Sequence, residues 1–154
     1  MNETTIRRAC KKLMQQADLV YVSTVDEAGY PSTRAMGNLY NLEQYNRLAG
    51  FLENQPNDFT VYLNTNRESL KMDQIGKNPK VCLYYSSYSE IHGLALTGQI
   101  EIIEDPGIRK TIWQDDWIQF YAGGLNGSDY TVLRVISTFA SGWYKTAKFE
   151  FKIA

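Results

Sequence analysis

Apolar side chains recur at Ile6, Cys10, Leu13, Met14 and Ala17, the spacing of one helix face, while Arg7, Arg8, Lys11 and Lys12 fall on the other faces. The spacing predicts an amphipathic helix over Glu3 to Ala17. At Asp18 the rhythm changes to Leu19-Val20-Tyr21-Val22-Ser23-Thr24-Val25, rich in β-branched residues and closed by Asp26-Glu27-Ala28-Gly29. That reads as a strand running into a hairpin turn. The returning strand is expected over Tyr30 to Tyr40, with Pro31 confined to its edge or first position and Gly37 marking a bulge or a close backbone approach.

From Asn41 to Asn57 no period holds, and the segment reads as irregular with no more than one helical turn. Phe59 to Thr65 is a strand. It leads into a short helix over Arg67 to Gly76, with Asn66 as the expected N-cap and Gly76 as the stop. Strands follow at Val81 to Tyr85 and at Ile91 to Ile103, where Leu94, Leu96, Gly98, Ile100 and Ile102 alternate with their neighbours. Asp105-Pro106 opens a helix reaching about Tyr121. Two strands, Tyr130 to Ser137 and Ser141 to Ile153, end the chain. Hairpins outnumber strand-helix-strand units, so the expected class is mainly β with peripheral helices: one antiparallel barrel domain over residues 1–154, with the helix of residues 1–17 packed on it.

Composition narrows the function. Sixteen Lys and Arg against seventeen Asp and Glu give a net charge of −1, and no basic block occurs. Nucleic acid is therefore not an expected partner. No run approaches the ~18–20 apolar residues of a membrane span, and Met1 to Ile6 lacks the apolar stretch of a signal peptide, so no membrane partner and a cytoplasmic location are expected. Cys10 and Cys82 read as small apolar residues rather than a bridge or ligand set. A single histidine, His92, rules out two-histidine metal sites within one chain and reads as a surface or barrel-mouth residue. Asp115 and Asp116, being adjacent, point about 100° apart on a helix. Gly123-Gly124-Leu125-Asn126-Gly127 lacks the Lys-Ser/Thr of a phosphate loop.

What remains is a set of anion donors. Arg34 lies in the second strand, and Asn64, Thr65, Ser69 and Lys71 lie where a strand becomes a helix, whose amino-terminal amides and dipole favour a phosphate monoester. Eleven Tyr and three Trp offer surfaces for a planar ring, or simply fill strands and core.

The stretch Val20 to Pro31 leading to Ser32-Thr33-Arg34-Ala35-Met36 resembles the first hairpin of the flavin-binding split-barrel proteins, the pyridoxamine 5'-phosphate oxidase-like family. Val61-Tyr62-Leu63-Asn64-Thr65, Ser69-Leu70-Lys71, Gln74 to Val81, Leu94 to Glu101 and Trp143-Tyr144 extend the likeness across about Asp18 to Phe151, nearest to the small general stress protein branch. The resemblance implies a six-stranded antiparallel split barrel acting as a homodimer with FMN in clefts at the interface. It implies that Arg34 and Lys71 hold the phosphate and that Ser69 adds a hydroxyl. Met36, Gly37 and Asn38 would line the ring with backbone groups, Asn64 and Thr65 would sit beside the ribityl chain or phosphate, and Trp143 would close the ring pocket. Leu70 stands where the family commonly has a second basic residue, and Gly93 where the true oxidases place a side chain near the ring. The carboxy-terminal Arg-x-His substrate element has no counterpart in Phe149 to Ala154, so vitamin B6 oxidation is not expected. The implied function is a flavin-dependent oxidoreductase acting on a small substrate. The alternatives are a non-catalytic FMN-binding stress protein, or a barrel that binds a deazaflavin or a haem, with His92 as the available axial ligand.

Overall fold

The structure is a computed structural model and describes residues 1–153. Helix α1 spans Glu3–Gln16, with the Thr5 amide bonded to the Asn2 side chain at 2.9 Å. Ile6, Cys10, Leu13, Met14 and Ala17 are all buried, so the face expected from the spacing is the one that packs, against the strands over Lys80–Ser87 and His92–Ile103. Strands β1 (Leu19–Val25) and β2 (Pro31–Gly37) form a hairpin whose turn is closed by Asp26 and by Gly29 at φ +88°. Glycine supplies that left-handed residue without steric cost.

Residues 42–53 depart from the sequence expectation. Instead of an irregular stretch, α2 (Leu42–Tyr45), a 3-10 turn (Asn46–Leu48) and α3 (Ala49–Glu53) follow one another. Asn41 caps the first through the Gln44 amide at 2.9 Å, and Leu48 and Leu52 are buried. The 3-10 turn breaks the 3.6-residue period, which is why no periodicity was visible.

Strand β3 (Thr60–Asn66) runs into α4 (Leu70–Lys77), whose N-cap position is Ser69 rather than Asn66. Asn66 instead builds a turn of its own, accepting from the Glu68 and Ser69 amides, and this delays the helix. Strands β4 (Lys80–Ser87) and β5 (His92–Ile103) form the next hairpin. The expected helix to Tyr121 is broken into α5 (Pro106–Ile112) and a 3-10 turn (Asp115–Gln119) by extended backbone at Trp113 and Gln114. The two expected final strands are one long strand, β6 (Tyr130–Tyr144), followed by β7 (Ala147–Lys152).

All seven strands belong to one antiparallel sheet ordered β2-β1-β4-β5-β6-β3, with β7 also on β6. This is the mainly-β antiparallel class expected, with one strand more than the resemblance implied. Strand β6 pairs with β3 over Tyr130 to Ile136 and with β7 over Phe139 to Tyr144, which is how one strand serves two neighbours. The ladder does not close between β2 and β3. Helix α4 follows β3 and packs back on β1. Among the described residues no helix is long and apolar enough to cross a membrane.

Candidate functional site

The period of β1 turns Val20, Val22 and Thr24 inward, and Thr24 is the polar exception in that row, fully buried. Its hydroxyl is held by Arg34 from β2. Arg34 Nη1 donates to Thr24 Oγ1 at 2.7 Å and to the Val22 carbonyl at 3.2 Å. Nη2 donates to Ser32 Oγ at 3.1 Å and to Gln74 Oε1 at 3.2 Å, and Thr24 Oγ1 in turn donates to Gln74 Oε1. Every acceptor is neutral. Burial pulls the Arg34 pKa below its ordinary value.

Lys71 lies in the first turn of α4. Its ammonium donates to Thr65 Oγ1 at 2.8 Å and to Ser69 Oγ at 3.1 Å, again neutral acceptors. Burial, then the nearby Arg34 charge, lowers its pKa. Because the Ser69 hydroxyl serves Lys71, it does not cap α4, and the helix starts without a side-chain cap. Among the described residues neither Arg34 nor Lys71 has a carboxylate within ion-pair distance. Two half-buried cations, two hydroxyls and a helix start without a side-chain cap are the kinds of donor that suit a doubly charged anion.

The structure therefore brings Arg34, Thr65, Ser69 and Lys71 together and separates the other candidates. Asn64, one residue from Thr65 and so on the opposite strand face, donates to the Tyr121 hydroxyl at 2.9 Å. Tyr121 belongs to an aromatic cluster with Trp113, Trp117 and Tyr130. Met36 is buried in the core, and Gly37 is exposed at the end of β2. Asn38 is 1% exposed, and its side chain bonds the Met14 and Ala17 carbonyls at 2.7 Å each and the Tyr40 amide at 3.1 Å. Its side chain is committed to the end of α1, leaving only its backbone for any ligand.

Trp143 stands elsewhere. It is 55% exposed and pairs in register with Gly93 across β5 and β6. An open pocket of about 680 Å³ there is bordered by Tyr84, Ser86, Gly93 and Trp143 and includes neither cation. A β-carbon at Gly93 would overlap the Tyr84 phenol, so Tyr84 fills the room of the side chain missing at Gly93.

His92, expected at the surface or at the barrel mouth, is largely buried and reaches the lining of this same pocket. It is 6% exposed, with Nε2 3.8 Å from Cys10 Sγ and its ring edge-on to Tyr144. Burial lowers the His92 pKa and pushes the Cys10 thiol up to about 12.

Sequence reasoning missed Thr24, Gln74 and Tyr84. Thr24 had a signal, a polar residue at an inward position of β1. Gln74 had a weaker one, lying three residues after Lys71 on the same helix face. Tyr84 had none, because its role depends on the register that sets it over Gly93.

Residues 6–142 match the sequence pattern of pyridoxamine 5'-phosphate oxidase. A Clostridium acetobutylicum protein related to general stress protein 26, of the pyridoxinephosphate oxidase family, superposes with a TM-score of 0.76 at 26% identity, over 99% of this chain and 97% of that one. General stress protein 26 of Bacillus anthracis gives 0.71 at 16% identity, over 96% and 98% of the two chains. A pyridoxamine 5'-phosphate oxidase-related, FMN-binding protein of Nostoc punctiforme gives 0.66 at 14% identity, over 100% and 98%. No curated protein matches the chain.

Proposed function

The chain belongs to the pyridoxamine 5'-phosphate oxidase family, and from that premise we propose that it binds FMN through Arg34 and Lys71 and acts as a flavin-dependent oxidoreductase on a small substrate. The observation that carries this is the pair of half-buried cations held only by neutral acceptors. Two such charges cost desolvation free energy in the empty protein, and a phosphate monoester relieves it.

Lys71, the Ser69 hydroxyl and the first amides of α4 hold the phosphate, while Arg34 supplies the second charge. The exposed backbone at Gly37, beside Met36 and Asn38, lies at the sheet edge where a ring can approach closely. When bound, the flavin supplies the electron transfer, and the protein supplies binding, orientation and exclusion of water.

A second copy of the chain completes the cleft in this reading. Leu19, Tyr21, Tyr84 and Trp143 are all exposed on strands β1, β4 and β6, and Tyr21 pairs in register with Tyr84. These exposed apolar side chains suit a self-interface, from which Trp143 of one copy would cover the ring held by the other.

A non-catalytic FMN-binding protein is the second reading. It is favoured by the lining of the Trp143 pocket, which among the described residues is made of hydroxyl, aromatic and apolar side chains with His92. Titration with FMN and with riboflavin, read by flavin fluorescence, tests the shared premise: saturation near one FMN per chain with much weaker riboflavin binding supports it. Equal affinity for both removes the phosphate site. Flavin-dependent oxidation of a nicotinamide then separates turnover from storage, and sedimentation of the loaded protein as a monomer would remove the two-chain cleft.

A further inference from the structure

Gln74 closes a triangle with Arg34 and Thr24: Arg34 donates to both partners, and Thr24 donates to the Gln74 carbonyl oxygen. Thr24 is fully buried on β1, so it fixes the amide from below, and α4 carries the amide to the guanidinium. A carboxylate at this position would accept the same two hydrogen bonds and also neutralise Arg34. An amide orients the guanidinium and leaves its charge intact. The other charged groups around Gln74 are Asp73 and Lys77 on α4 and Asp26 and Glu27 in the β1–β2 turn, and Lys77 is paired with Glu27.

We propose that Gln74 is the positioning residue of the anion site, holding Arg34 in place while keeping the site doubly positive, and so selecting a phosphate dianion. This rests on the FMN reading for the identity of the ligand, though not for the anion site itself. A phosphate monoester takes up its second negative charge near pH ~6. A site with two uncompensated cations gains affinity as that charge appears, and a site with one gains less.

The test compares the unaltered protein with Gln74→Glu and Gln74→Ala at pH 5.5 and 7.5. FMN and riboflavin are titrated by fluorescence, and inorganic phosphate is followed by its effect on the thermal midpoint. The expected result for Gln74→Glu at pH 7.5 is FMN binding weaker by about tenfold or more, as fits loss of charge-assisted contacts. Riboflavin affinity stays unchanged, and the pH dependence of FMN binding becomes flatter. Gln74→Ala weakens FMN less and keeps the slope. Unchanged FMN binding in Gln74→Glu would overturn the proposal, as would parallel loss of FMN and riboflavin, which marks a merely structural role. If the unaltered protein responds to inorganic phosphate but not to FMN, the FMN reading fails, and Gln74 is judged on the phosphate shift alone. If it responds to neither, both fail.

Discussion

The Tyr84 side chain occupies the space that a β-carbon at Gly93 would need. Tyr84 is 42% exposed and its phenol is the far end of a side chain with room to turn. Gly93→Ala is therefore expected to cost less than about 1 kcal/mol, with Tyr84 swung outward. At Gly98, beside the register shift in β5, an added β-carbon would instead meet the Ile136 carbonyl of the neighbouring strand. Backbone cannot yield as a phenol does, and Gly98→Ala is expected to destabilise by about 1–3 kcal/mol. Urea midpoints of the two variants measure the contrast, and equal losses would contradict it.

Lys71→Ala removes the ammonium while leaving Arg34 and its neutral acceptors in place. FMN binding is expected to weaken by about 1–3 kcal/mol, with riboflavin affinity unchanged. Isothermal titration checks both, and an unaltered FMN affinity would take Lys71 out of the site.

Asn38 joins the end of α1 to the segment after β2 through two buried hydrogen bonds, and its Oδ1 accepts a third from the Tyr40 amide. Asn38→Ala leaves the Met14 and Ala17 carbonyls without these donors, a loss of about 1–3 kcal/mol. Denaturant unfolding gives the value. Asn38→Asp should be worse, because it sets a carboxylate against two carbonyl oxygens.

The pKa of His92 is lowered in the folded protein, chiefly by burial, with Glu90 opposing. Its contribution to stability is therefore full above the ordinary histidine value of 6.5. As pH falls below that value the unfolded chain takes up the proton first, and the contribution is lost through the folded pKa. Urea midpoints at several pH values below 7 should fall more steeply for the unaltered protein than for His92→Gln. Parallel curves would show that His92 is not the group responsible.

Local patterning made much of the fold legible. The α1 stripe, the first hairpin and the β3-to-α4 junction all follow from spacing and turn chemistry, and the packing bears them out. The failures share a cause. A 3-10 turn hid the helices of residues 42–53, and Asn66, a good cap by type, was drawn into a turn. The break expected after Ser137 is absent because β6 must continue in order to pair with β7. In the site, the residue types singled out at positions 34, 65, 69 and 71 converge. Asn38 and His92 could not be placed from sequence, since their partners, Met14, Ala17 and Cys10, lie at least 21 residues away along the chain. Gln74 and Tyr84 likewise acquire meaning only from what three-dimensional register sets beside them.

The unclosed boundary between β2 and β3 gives the anion site a mechanical meaning. Arg34 stands on one lip of that seam, while Thr65 and the start of α4 stand on the other. In the proposed complex a phosphate gripped from both sides is a clasp across a boundary where the ladder leaves β2 and β3 unjoined. On that reading ligand affinity becomes closure of the barrel wall. Amide protons along both lips should exchange more slowly once the clasp is fastened, while those at the middle of β5, already flanked on both sides, stay as they were.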